Sequence, residues 1–192
     1  ADFITLSAHK FHGPKGIGLL YARKGITLSP VIVGGSQERG RRAGTLNVPA
    51  IIGMAAAFDE ACRCMAENNA KTARLRDKIT DGLLKIPGTH LNGDRTNRLP
   101  GNINVGFEGI SGESLLLALD ACGIMVSTGS ACEAGATEAS HVLLALGQSQ
   151  DKARSTIRIT LDHNNTDAEA DYIVECTAKS VERLRTVADY DL

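Results

Sequence analysis

Short strand-like apolar runs alternate along this chain with longer segments of helical periodicity, and this alternation most limits the folds available to it. The apolar runs are bounded by glycine, proline or polar residues, as strands are. Each helical segment repeats its apolar residues every three or four positions. The pattern predicts an α/β fold without internal repeats. The predicted strands are residues 3–6, 17–22, 102–107, 125–126 and 156–161, and the predicted helices are 49–86, 112–121 and the segment opened by a capping box at Thr166–Glu169.

Two segments of the chain do not follow this alternation in a simple way. The apolar spacing that starts at Pro49 continues to Ile86 through the polar residues Glu67, Asn68 and Asn69. It fits two helices joined by a bend, or one long helix with a solvated face. Residues 34–45 are polar and rich in arginine, which predicts a long loop, and long loops often carry function.

Composition excludes several classes of partner. A formal net charge of -1 without a basic tract gives no electrostatic reason to expect nucleic acid or an anionic membrane. No apolar stretch approaches the roughly 20 residues of a membrane span. The five cysteines are scattered, without the spacing of a zinc site, so we expect no metal and a reducing cytoplasm. The sequence starts at Ala1 inside a predicted strand, so we expect the natural protein to begin earlier.

Lys10 follows the first predicted strand and precedes a glycine-rich turn. A lysine held at a strand end, partly desolvated and near other cations, has the lowered basicity that imine chemistry needs. Ser7 and His9 add a hydroxyl and a ring N–H that suit a phosphate. The alternative is an ordinary surface lysine. A nucleotide-binding phosphate loop is excluded because Lys15 is followed by Gly16 and a strand, not by serine or threonine at a helix start.

Cys132 lies in residues 127–136, a run almost free of bulky side chains. Such a run exposes a thiol and offers backbone N–H groups to a thiolate, which favours a nucleophile. A buried, inert thiol is the better description of Cys62, Cys122 and Cys176, which fall in helical stretches.

Arg158 alternates with Ile157 and Ile159 and therefore lies on the polar face of its strand. A carboxylate-binding fork and a solvated arginine both fit this position. The loop at residues 34–45 combines three arginines with Thr45, so an anion site or interface competes there with a solvated charged loop.

Four motifs occur together in order: SAHKFHGPKGIG, GGSQERGRRAGTLN, STGSACEAG and STIRITL. In order and spacing they resemble the cysteine desulfurases of the NifS/IscS type, over essentially the whole chain. The resemblance implies a pyridoxal-phosphate-dependent transferase of fold type I. It further implies that residues 1–46 belong to the large cofactor-binding domain, 47–70 to a bridging helix, and 71–192 to the small carboxy-terminal α/β domain.

The resemblance also implies a role for each site residue. Lys10 binds pyridoxal 5'-phosphate as a Schiff base, and Ser7 and His9 hold its phosphate. Thr45 reaches the cofactor of a second subunit, which implies a homodimer. Arg158 binds the carboxylate of L-cysteine, and Cys132 receives the sulfur as a persulfide and passes it to a scaffold protein of iron–sulfur cluster assembly.

Two departures from the family pattern accompany the resemblance. Ala8 stands where glycine is commoner. Members of the family are about twice as long, and their first half carries the aspartate that pairs with the cofactor's ring nitrogen, which helps the ring act as an electron sink. We therefore expect this chain alone to bind the cofactor poorly and to be inactive. Other readings are a selenocysteine lyase, an aminotransferase or an epimerase, the last two of which need no thiol, and a non-catalytic binding module.

Overall fold

The computed structural model describes residues 1–128 and 139–188, without the side chain of residue 188. The chain divides into two compact units, Ala1–Ala66 and Glu67–Leu192. The strands are β1 Phe3–Ser7, β2 Gly18–Ala22, β3 Thr89–Leu91, β4 Asn102–Phe107 and β5 Thr156–Thr160, and the helices are α1 Val48–Leu83, α2 Gly112–Asp120, α3 His141–Ala145, α4 Gln150–Arg154 and α5 Asp167–Ala188.

The first unit contains an antiparallel hairpin of β1 and β2, in which Phe3 pairs with Ala22 and Ser7 with Gly18. The predicted sequence of strand, turn and strand is confirmed. Large apolar side chains of both strands, including Leu20, are about half exposed. Contiguous exposed apolar surface of this kind is typical of an interaction surface.

Helix α1 is one continuous helix of 36 residues, which decides between the two alternatives for this segment. Asn47 caps its start, where the Oδ1 atom accepts a hydrogen bond of 3.3 Å from the N–H of Ala50. The polar residues near Asn68 form a solvated stretch and do not break the helix. Its last part contributes Leu75, Ile79 and Leu83, spaced four residues apart and fully buried.

The second unit is built on an antiparallel sheet with strand order β3-β4-β5. Asn104 pairs with Arg158 at the centre of the β4–β5 ladder. Alternate residues of β4 and β5 point into a core shared with α1, α2 and α5, and this arrangement confirms the period-two pattern. The fully buried residues of these two strands are Ile103, Val105, Phe107, Thr156 and Ile157.

The predicted strand at Met125–Val126 is wrong, because the backbone there is used to end α2. Gly123 has a φ of 76°, and the N–H of Ile124 donates to the carbonyl of Leu119 at 2.9 Å. This is a glycine-based helix termination, which leaves strand pairing to begin only at Ser127. There a single bridge forms with Arg158.

The capping box that opens α5 is confirmed in both directions. The N–H of Glu169 donates to Thr166 Oγ1 at 3.2 Å, and the N–H of Thr166 donates to Glu169 Oε2 at 2.8 Å. The hydrogen bond from the N–H of Thr166 to the carboxylate is the largest cause of the lowered pKa of Glu169. The inward face of α5 buries Ile173, Thr177 and Val181, as the spacing predicts.

Asp167 in the first turn of α5 receives two hydrogen bonds from Arg74, at 2.7 and 2.8 Å. These bonds, with the nearby charge of Lys78, lower its pKa from 3.8 to about 2. A lowered pKa means that the stabilisation is complete above the ordinary value and is lost as the pH falls toward about 2. In acid unfolding followed by circular dichroism, we therefore expect Asp167→Asn to be less stable near neutrality and to lose part of the acid sensitivity below pH 4.

Asp120→Asn is the matched control, because Asp120 makes none of these ion pairs. This variant should unfold in acid like the parent protein. The effect should shrink in high salt, since Arg74 and Asp167 are both about half exposed. An acid profile of Asp167→Asn that overlays the parent's at low salt would contradict the assignment.

Candidate functional site

The end of β1 and the turn that follows it hold three of the predicted site residues within four positions. β1 ends at Ser7, and a short 3-10 turn, Ala8–Phe11, carries His9 and Lys10. All three side chains are exposed. A hydroxyl, an imidazole and an amine are thus presented together at one end of the strand, and these groups suit a phosphate and an aldehyde.

Packing beneath this turn explains its shape. Ala8 is fully buried, its N–H donates to the carbonyl of Ile17 at 3.1 Å, and its carbonyl accepts from Gly13 at 2.9 Å. A Cβ at Gly13 would lie 2.9 Å from the Cβ of Ala8, so only glycine fits there without displacement. His12 ends the turn with a φ of 68°. The backbone that presents Lys10 is therefore fixed by buried contacts, although Lys10 itself is exposed.

Thr45 lies in the predicted loop, just before α1, and is exposed. The preceding residues are held in place, because the N–H of buried Ala43 donates to the carbonyl of Ile32 at 3.1 Å and that of Gly44 to Gln37 Oε1 at 3.2 Å. Glu38 and Arg39 adopt positive φ angles of 51° and 57°, which are unusual for residues other than glycine. Such strain is often found at functional loops.

Arg158 lies at the centre of β5 and is half-buried, between the buried Ile157 and Ile159. Its backbone pairs on one side with Asn104 of β4. On the other side its N–H donates to the carbonyl of Ser127 at 2.5 Å, and its carbonyl accepts from Ser127 at 3.0 Å. The structure thus brings Arg158 next to the start of the segment that leads to Cys132.

The sheet also carries polar residues that the sequence analysis missed. Asn92 is almost fully buried, and its amide donates to Asn104 Oδ1 at 2.7 Å and to Thr156 Oγ1 at 3.3 Å. Gln148 and Arg98 also hydrogen-bond to Asn92. Asn104 occupies an outward position in the alternation of β4, and this was the signal available in the sequence. The network fixes the strand beside Arg158.

Cys132 lies outside the described residues. The structure describes the other four cysteines, and no disulfide joins any two of these four. Cys62 is exposed on α1, so its interpretation as a buried thiol is wrong. Cys122 and Cys176 are half-buried and pack against the core.

Among the described residues, no helix is both long enough and apolar enough to cross a membrane.

Residues 1–173 match the family model of class-V aminotransferases. The chain belongs to this family. The chain is 48% identical over 187 residues to a cysteine desulfurase IscS of Methanosarcina thermophila. The aligned region covers 97% of this chain and 46% of that protein. It is 44% identical to cysteine desulfurase IscS 1 of Archaeoglobus fulgidus, covering 98% of this chain and 49% of the other.

A solved NifS-like protein shares the fold with a TM-score of 0.86 and 38% identity, over 96% of this chain and 47% of that structure. The predicted fold class, that of fold type I transferases, is confirmed. The chain spans about half the length of the curated class-V relatives it matches.

Proposed function

We propose that this chain is part of a pyridoxal-phosphate-dependent cysteine desulfurase, which converts L-cysteine to L-alanine and transfers the sulfur to Cys132 for iron–sulfur cluster assembly. The observation that carries the proposal is the turn at the end of β1, anchored by buried Ala8, which presents His9 and Lys10 next to Ser7. Similarity to proteins named cysteine desulfurase, at 44–48% identity, supports the same chemistry.

The cofactor proposal depends on the donors of the first unit. Ser7 and His9 would hold the phosphate, Lys10 would bind the cofactor covalently, and Thr45 would contact the cofactor of a second subunit in a homodimer. Ser7, His9 and Lys10 have the chemistry for this role. Ser7 and His9 can donate hydrogen bonds, Lys10 carries an amine, and all three side chains are exposed. Bound there, pyridoxal phosphate supplies an electron sink for charge that develops at the substrate α-carbon.

The roles of the chain's own residues follow in order. Arg158 pairs with the substrate carboxylate through two parallel hydrogen bonds and orients the amino acid. The Nζ atom of Lys10 takes the proton from the α-carbon. The Cys132 thiolate attacks the substrate sulfur, the carbon–sulfur bond breaks, and the carbon is protonated to give alanine. One thiol and one cysteine thus yield one persulfide and one alanine.

The remaining assignments belong to the same proposal. Residues 1–46 form part of a large cofactor domain, 47–70 a bridging helix and 71–192 a small domain. The enzyme works in the cytoplasm and delivers sulfur to a scaffold protein. Support comes from the unbroken α1, which covers the proposed bridge, and from the sheet of the second unit, which lies within the proposed small domain.

The decisive assay uses the longest natural polypeptide that carries this sequence, supplied with pyridoxal phosphate and L-cysteine. We expect alanine and transferable sulfur in equal amounts. A polypeptide that binds pyridoxal phosphate but releases no alanine from L-cysteine would overturn the proposed activity, and one that transaminates cysteine would point to an aminotransferase.

Arg158→Ala should weaken use of L-cysteine in that assay. A charged hydrogen bond is worth about 1.5–3 kcal/mol, so kcat/KM should fall roughly 10–100-fold, mainly through KM. Arg154→Ala is the matched control, because Arg154 is exposed at the end of α4 only four residues away. Equal effects of the two substitutions, or an unchanged KM for Arg158→Ala, would remove Arg158 from the substrate site.

A further inference from the structure

Two cysteines that have no role in the proposed reaction meet in the second unit. Cys122 lies in the turn after α2, where its N–H donates to the carbonyl of Leu119 at 2.9 Å. Cys176 lies on α5, a helix that packs against α2. Both thiols are half-buried and both pack against the same hydrophobic core. Two parts of the chain that are distant in sequence thus bring their sulfur atoms to one place.

Tyr172 joins the two cysteines. Its hydroxyl donates to the carbonyl oxygen of Cys122 at 3.1 Å, which ties the turn to α5. Tyr172 and Cys176 are four residues apart on α5 and therefore share a face of the helix. The Cys176 thiol lies close enough to raise the pKa of the Tyr172 hydroxyl and, after the larger effect of burial, that of the Cys122 thiol. The hydrogen bond of Tyr172 and the packing of α2 on α5 thus place Cys122 and Cys176 in one connected group.

We propose that Cys122 and Cys176 are a redox modification site, oxidised by hydroperoxides to a reversible disulfide. A disulfide has a sulfur–sulfur bond of about 2.05 Å, and side-chain rotation with a small approach of the backbone would bring together two cysteines that pack against the same core and are tied by Tyr172. The site lies outside the residues assigned to the desulfurase reaction. It stands or falls independently of that assignment.

The chemistry takes two steps. The sulfur of one cysteine, after losing its proton, attacks the O–O bond of hydrogen peroxide and becomes a sulfenic acid as hydroxide leaves. The second sulfur then attacks the first, and the hydroxyl departs as water with the second thiol's proton. Two thiols lose two electrons, and one peroxide is reduced to two waters.

The pair divides these steps between its members. Burial, and then the neighbouring Cys176, raise the pKa of the Cys122 thiol. A raised pKa leaves less Cys122 thiolate for the first attack, so we assign Cys122 to the second step, in which it closes the bond. The disulfide would enclose the segment between residues 122 and 176, which contains both Arg158 and Cys132.

In the test, the longest natural polypeptide that carries this sequence is treated with hydrogen peroxide, and the remaining free thiols are then blocked. The protein is cleaved with cyanogen bromide and trypsin, and the peptides are mapped by mass spectrometry. Cleavage at Met125 and at the basic residues puts each of the five cysteines in its own peptide. We expect peptide 99–125 linked to peptide 159–179, with release by dithiothreitol. Closing a loop of roughly 55 residues should also raise the thermal midpoint by several degrees.

Cys122→Ser and Cys176→Ser should each abolish the linked peptide, whereas Cys62→Ser, at an exposed site, should leave it unchanged. Tyr172→Phe keeps both thiols and should slow disulfide formation roughly 2–10-fold, because it loses one hydrogen bond. Circular dichroism confirms that each variant is folded. Peroxide that leaves peptides 99–125 and 159–179 unlinked, or that links either to another cysteine as readily, would overturn the proposal.

Discussion

Lys10→Ala should abolish both retention of pyridoxal phosphate and release of alanine from L-cysteine. The substitution removes the only amine of the turn Ala8–Phe11, whose backbone is fixed by buried Ala8 and by Gly13. Loss of a positioned acid–base group alone costs about 10²–10⁴-fold in rate. Loss of the covalent attachment adds to that, so we expect kcat to fall at least about 10³-fold.

Two measurements make this result specific. Borohydride fixes the cofactor to the lysine that holds it, so a peptide map of the parent polypeptide should show the label on Lys10. Lys15→Ala is the matched control, because Lys15 is exposed in the same connection between β1 and β2, five residues away. Label on Lys15, or a Lys10→Ala polypeptide that keeps its visible absorption band, would contradict the role given to Lys10.

Cys132→Ser should stop sulfur transfer with little effect on folding or on cofactor binding. The change replaces one sulfur by oxygen, and a serine hydroxyl is not ionised near neutral pH and does not accept sulfur as a thiolate does. We expect the persulfide at this position to disappear and alanine release to fall at least about 10²-fold. Mass spectrometry of the peptide 126–152 after one turnover detects the added sulfur in the parent protein.

Cys62→Ser and Cys64→Ser provide the comparison for Cys132, since both residues lie on α1 and belong to no proposed site. Their persulfide yield and alanine release should equal those of the parent. Persulfide found mainly on Cys122 or Cys176 would move the sulfur-accepting role to the paired cysteines and contradict the assignment of Cys132.

Features that depend on neighbouring residues in sequence could be predicted. β1, β4, β5 and the capping box of α5 follow from period-two and period-3.6 patterns and from turn residues, because these signals lie in residues that are close along the chain. The glycine-rich turn around Lys10 belongs to the same class. Its motif is local, and so is the packing of Ala8 against Gly13.

Features that depend on contacts between distant segments could not be predicted. The strand expected at residues 125–126 failed because the helix termination at Gly123 takes up the backbone of Ile124, and only Ser127 is left to pair. The length of α1 was ambiguous because a bend between two helices and the solvated face of one long helix have the same kind of polar sequence. The meeting of Cys122 with Cys176 requires α2 to pack on α5, which no sequence spacing indicates.

The bridge between Ser127 and Arg158 also limits the distance at which Cys132 could deliver sulfur under the proposed function. Cys132 follows Ser127 by five residues, and five residues of fully extended chain span at most about 18 Å. Under the proposed function, a molecule that accepts sulfur from Cys132 must bring its acceptor atom within this chain length of the bridge, plus the length of one side chain. Under the proposed function, the position of this bridge therefore limits which acceptor molecules can take sulfur, because each must be able to approach it closely.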